Sequence, residues 1–93
     1  MSKEQNTVYI GRKPAMNYVL AVITNFDSHG AKDVVLKARG MSITTAVDVA
    51  EITKRRFMNT LEVDKIIIGT EEMKQEDGRL RAVSFVEITL KRP

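Results

Sequence analysis

The chain predicts an α/β (α+β) fold of order βαβαββ with a mixed sheet. Three observations carry that expectation. Two segments of helical apolar spacing, residues 14–27 and 42–58, each follow a short β-rich run. Two long alternating segments, 63–74 and 80–91, close the chain. Asp77-Gly78 sits between them and marks a hairpin. Strands joined through helices favour right-handed parallel crossovers, whereas the last pair must be antiparallel.

Each element has a local reason. Residues 1–6 are polar and read as a short flexible tail, with the folded domain spanning 7–93. Thr7-Val8-Tyr9-Ile10 is a compact run of β-formers, and Gly11 to Lys13 turns the chain. Pro14 suits the first position of a helix, where its missing N–H is not needed. Met16, Val19, Leu20 and Ile23 then form one stripe, widened by Ala15, Tyr18, Val22 and Phe26. Apolar residues nearly all round predict a helix buried on most faces. Gly30 can end it as a left-handed cap. Val34-Val35-Leu36 suits a buried strand over 33–39, and Gly40 breaks it. Ser42 can cap the second helix, with Ile43, Ala46, Val47 and Ala50 on one face. Ile66-Ile67-Ile68 centres the third strand, and Ala82, Ser84, Val86, Ile88 and Leu90 share a face of the fourth. A type I′ turn at Asp77-Gly78 would need positive φ at both residues.

Composition narrows the function classes. The 93 residues suggest one domain, and a core this small gains from a dimer. No run of about 18 apolar residues suggests a membrane span. The polar N-terminus lacks the apolar core of a signal peptide, which implies a cytoplasmic protein. Zero cysteines remove disulfides, thiolate catalysis and thiolate zinc sites. His29 is the single histidine and lies beside the helix-ending glycine, where it reads as an exposed cap residue. Glu71-Glu72 and Glu76-Asp77 lack the spaced oxygens of a calcium loop and read as a solvated hairpin tip. No Walker or dinucleotide glycine loop is present. The sequence therefore predicts no catalytic residue, metal or cofactor.

Cation placement is more informative. The formal charge is +3, but residues 1–59 hold nine Lys/Arg against five Asp/Glu, and residues 60–93 hold six against seven. Arg12-Lys13 follows the first strand, Lys37-Ala38-Arg39 ends the second, and Lys54-Arg55-Arg56 closes the second helix. In a parallel pair the first two ends share one sheet edge, where ligands of open α/β sheets sit. Lys37 and Arg39 share strand parity, so four cations can converge there. The alternative is ordinary solubilising charge.

Gly11-Arg12-Lys13-Pro14-Ala15-Met16-Asn17-Tyr18-Val19, then Lys37-Ala38-Arg39-Gly40, then Asp77-Gly78-Arg79, in this order and spacing, resemble the Alba family of small archaeal chromatin proteins. The resemblance covers residues 7–92. It implies a two-layer sandwich similar to the C-terminal domain of translation initiation factor three, with a four-stranded sheet, two helices and a long C-terminal hairpin arm. It also implies a non-enzymatic homodimer, open to higher assembly, that binds duplex DNA with little sequence preference, binds RNA, compacts DNA and stays on the chromosome. Carried over by motif, Arg12 and Lys13 contact phosphates. Lys13 also matches a lysine acetylated in some members, which makes a deacetylase a partner. Asn17 and Tyr18 support the loop, Arg39 matches a DNA-contacting arginine with Lys37 beside it, and Arg79 and Arg81 lie near the arm tip. Phe57 matches an aromatic at the contact between neighbouring dimers.

This chain departs from the family pattern at Met41 and Thr45, where many members carry cations, and in an arm bearing Glu71, Glu72, Glu76 and Asp77. Those departures motivate an alternative function, a protein-interaction module with weakened or lost nucleic-acid binding.

Overall fold

A computed structural model describes residues 6–93. Most of the expected N-terminal tail, residues 1–5, lies outside the described residues. The elements run β1 (Thr7–Tyr9), α1 (Ala15–Asp27), β2 (Asp33–Arg39), α2 (Ile43–Ile52), β3 (Glu62–Lys74) and β4 (Leu80–Lys91). The sheet order is β1-β2-β4-β3. β1 pairs parallel with β2, and β4 inserts antiparallel between β2 and β3. The two crossovers and the closing hairpin are those the sequence pattern predicts.

Strand alternation divides the sheet into two unlike faces. Val8, Val34, Leu36, Ala38, Val86, Ile88 and Leu90 point to the helices and are buried. Tyr18, Val19, Val22 and Phe26 of α1 meet them, together with Ala46, Val49 and Ala50 of α2. The other face carries no helix. There Tyr9, Lys37, Arg39, Phe85 and Glu87 stand at successive register positions. The C-terminus is fastened by Arg92, which donates to Asp27 at 3.1 Å and lies 5.1 Å from the centroid of the Phe26 ring.

Several local expectations are corrected. Pro14 precedes α1 as its cap residue, with extended ψ of 147°, because the turn at Lys13 enters the helix one residue later. α1 is not buried on most faces: Met16 and Leu20 are 42% and 57% exposed, since the sheet and α2 cover only one side. Ser42 makes no capping bond. It sits in a 3-10 turn (Gly40–Ser42) with helical φ/ψ, which turns its hydroxyl away from the helix N–H groups. α2 is shorter than the 42–58 segment, because a five-residue π turn, Thr53–Phe57, replaces its last turns. The Thr53 hydroxyl donates to the Val49 carbonyl at 2.7 Å there, and Lys54 donates to the Leu61 carbonyl. Ile66, Ile67 and Ile68 are 59%, 45% and 79% exposed, because the helices pack over β1, β2 and β4 and leave β3 beyond their reach.

The hairpin turn is also not type I′. Only Gly78 has positive φ, at 88°, and no other residue type does among those described. Gly78 donates to the Gln75 carbonyl at 3.0 Å and Gln75 donates to the Arg79 carbonyl at 2.8 Å. A type I turn followed by one left-handed glycine closes the strands. Asp77 escapes positive φ because its carboxylate accepts from the Arg79 N–H at 3.0 Å and from Arg79 Nε at 2.8 Å, which stabilises the alternative turn. Beyond Phe85 the β3–β4 ribbon continues through five further pairs, Thr70↔Ser84 to Lys74↔Leu80, with no third strand. This arm accounts for the elongated 45 × 28 × 21 Å envelope.

Candidate nucleic-acid interface

The loop Gly11-Arg12-Lys13 leaves β1 at the sheet edge and is held from below by one side chain. Tyr18, one turn into α1 and 9% exposed, accepts from the Gly11 N–H at 2.9 Å and the Lys13 N–H at 3.1 Å on its phenol oxygen. A Cβ on Gly11 would lie 3.3 Å from that oxygen, so glycine allows the close approach. The Ser42 hydroxyl donates to the Gly11 carbonyl at 3.3 Å and ties the loop to the start of α2. With backbone groups satisfied inwards, the Arg12 and Lys13 side chains project into solvent.

A shallow cavity of about 520 Å³ lies in front of this loop, lined by Arg12, Lys13, Arg39, Arg81, Met41 and Thr45 together with Gly11 and Ser42. Among the described residues no carboxylate lines it. Among the described residues Arg12, Lys13 and Arg81 have no ion-pair partner. Mutual repulsion of four cations in one concavity is relieved by an anion, and guanidinium groups suit phosphate oxygens.

The sequence-predicted residues divide accordingly. Arg12, Lys13 and Arg39 come together as expected. Asn17 is exposed on the first turn of α1. Arg81, the second residue of β4, lies one pair from the end of the ribbon and also lines the basic cavity. Arg79 does lie at the tip, and Asp77 occupies its guanidinium. Lys37 does not join the cluster; its Nζ is 4.0 Å from Glu87 across the β2–β4 register. Arg39 is shared, 3.9 Å from Glu71 and 3.0 Å from the Met73 sulfur. The third basic group disperses: Lys54 donates to the Leu61 carbonyl and Arg55 pairs with Glu51 at 2.9 Å. Phe57 is half exposed. Met41 is 98% exposed, and Thr45 stands beside the cations in the cavity wall.

Sequence reasoning missed a second concavity of about 370 Å³ on the open sheet face. It is lined by Tyr9, Lys37, Arg39, Glu71, Phe85 and Glu87, with Ile10, Ala38, Ser42 and Val86 beneath. The parity of Tyr9 against buried Val8 was a readable signal. The pairing of Phe85 with Gly69 was not, because it depends on the β3–β4 register.

The comparisons agree with this geometry. The family model named Alba matches residues 6–70. A DNA/RNA-binding protein Alba from Methanocella arvoryzae is 51% identical over 90 residues, covering 97% of this chain and 93% of that protein. The solved structure of Alba from Thermoplasma volcanium superposes with a TM-score of 0.87 at 46% identity, over 94% of this chain and 100% of that one. The structure of ALBA1 from Trypanosoma brucei gives a TM-score of 0.73 at 26% identity, over 98% of this chain and 72% of that one. By its motif loop, its βαβαββ architecture and these similarities, the chain belongs to the Alba family.

Proposed function

We propose that this chain is a non-enzymatic, sequence-non-specific nucleic-acid-binding chromatin protein that holds the phosphates of duplex DNA, and of RNA, and compacts DNA as a homodimer. The observation that carries this reading is the carboxylate-free cavity walled by Arg12, Lys13, Arg39 and Arg81. Relatives named DNA/RNA-binding protein Alba support it. No described helix is long and apolar enough to cross a membrane, which accords with a protein that works on the chromosome in the cytoplasm.

The body of the protein, rather than its arm, supplies the grip. Glu71 draws on Arg39 and Asp77 occupies Arg79, so the ribbon offers little net positive charge to a minor groove. Acetylation of Lys13 would remove one of the two cations on the loop, and a deacetylase would restore it. The uncovered β3 residues Ile66 and Ile68 supply an apolar dimer surface, and half-exposed Phe57 a contact between dimers.

A salt-dependent gel-shift titration on duplex DNA and RNA tests the reading. Four phosphate contacts per site give a slope near −3.6, about a 150-fold affinity loss between 50 and 200 mM salt. Arg12→Ala and Lys13→Gln should each weaken binding on every sequence and reduce the slope by about 1. Lys13→Arg should retain it. Absence of binding to either nucleic acid at 50 mM salt would sink the proposal.

A further inference from the structure

We infer that the open sheet face is a second nucleic-acid subsite, one that takes unpaired bases of a single strand and prefers guanine. The inference rests on the nucleic-acid reading above but uses different residues and a different physical contact.

The first observation is the attitude of Phe85. A Cβ on Gly69 would come within 2.6 Å of the outer carbons of the Phe85 ring, so the ring lies against that glycine. The same ring lines the concavity. Such a glycine–aromatic pair serves cross-strand packing, and it also makes a platform. Tyr9 provides a second aromatic wall, 62% exposed on the same face. Only β2 separates it from the β4 row, and one row of alternation separates it from Phe85, so two strand spacings and one residue repeat put the two positions roughly 12 Å apart. That separation lets each contact a base of one flexible strand. A volume of about 370 Å³ accommodates one nucleotide.

The second observation is charge. Lys37 faces Glu87, and Arg39 faces Glu71. This face is therefore balanced, unlike the basic cavity around Arg12. A duplex backbone presented to Glu71 and Glu87 would meet repulsion as well as attraction. A base edge presents donors as well as acceptors, and single-stranded recognition combines stacking on aromatics with hydrogen bonds to that edge. Guanine alone among the bases offers two adjacent donors, N1–H and N2–H, on its Watson–Crick edge. A carboxylate supplies two acceptor oxygens to match them. Glu87 lies between Lys37 and the β3 strand at the centre of the face, where it can take that edge while Lys37 and Arg39 turn to the flanking phosphates.

The test compares fluorescent ten-nucleotide single-stranded oligoribonucleotides, a uridine run holding one guanosine or one adenosine, with a 20-base-pair DNA duplex. Tyr9→Ala and Phe85→Leu should weaken single-strand binding roughly ten-fold, the loss typical of a stacked base, and leave duplex binding within two-fold. Tyr9→Phe should keep both. The natural chain should favour guanosine over adenosine several-fold, and Glu87→Gln should abolish that preference. Added guanosine oligonucleotide should shift the Gly69 and Phe85 amide resonances of the unsubstituted protein, a readout that does not depend on any variant folding. Unshifted Gly69 and Phe85 resonances, or equal losses on single strand and duplex, would overturn the subsite while leaving the phosphate-binding reading intact. Failure of the natural chain to bind either nucleic acid would remove both.

Discussion

At the scale of single residues, Tyr18 carries the site without touching a ligand. Its phenol oxygen accepts two loop N–H groups, so the apolar ring anchors α1 in the core while its tip sets the path of Gly11 to Lys13. Tyr18→Phe would keep the packing and orphan both donors. It should destabilise the fold by about 1–3 kcal/mol, the cost of leaving part-buried groups unsatisfied. Hydrogen exchange should quicken at the Gly11 and Lys13 amides, and duplex affinity should fall although no charge is lost. Unchanged exchange at both amides would contradict this role. Tyr18 was marked as a support because it lies in the stretch that resembles the family motif. The two bonds themselves could not be read, because spacing specifies a helical turn but not which backbone groups a phenol meets. Ser42 shows the same limit from the other side. Its type and position fit a helix cap, yet the 3-10 turn directs its hydroxyl to the Gly11 carbonyl.

At the scale of elements, the arm is a ribbon whose tip is set by one aspartate. The Arg79 backbone N–H, and then its side chain, donate to Asp77 and hold its carboxyl below the ordinary value of 3.8. A depressed carboxyl contributes order that is present above the ordinary value and lost as pH falls through the lowered one. The turn should therefore be unchanged from neutral pH down to about 4 and loosen only below it. An NMR titration of the Arg79 amide should show one transition below 3.8, which Asp77→Asn removes. The bounds of β2 and β4 were legible because alternation and flanking glycines agree there. α2 was misread at its end, since apolar spacing continues through the π turn and the Met58 N–H, which donates to the Thr53 carbonyl five residues back, distinguishes the two windings. The exposure of Ile66 to Ile68 was equally hidden: an isoleucine run specifies a strand, but strand order decides whether a helix lies above it.

At the scale of the whole molecule, charge and greasiness are segregated. Cations crowd the end of the sheet where β1 and β2 finish, carboxylates decorate the arm, and the uncovered apolar residues lie along β3. Ile68, at 79% exposure, is the least covered residue of that run. On the proposed dimer surface, Ile68→Lys should leave the protomer folded and yield monomer in sedimentation, with the natural chain expected as a dimer at the same concentration. A natural chain that is monomeric at micromolar concentration would contradict the dimer outright. The same strand forms an edge of the sheet and so displays unpaired backbone groups beside exposed isoleucines. Such an edge invites indiscriminate strand addition by other chains. Two features oppose it: the irregularity between Val63 and Lys65, which interrupts a flat edge, and Glu71-Glu72 directly after the apolar run. The acidic residues that give the arm little net positive charge thus act as gatekeepers of solubility, and their replacement by lysine would trade one form of self-restraint for another kind of charge rather than for none.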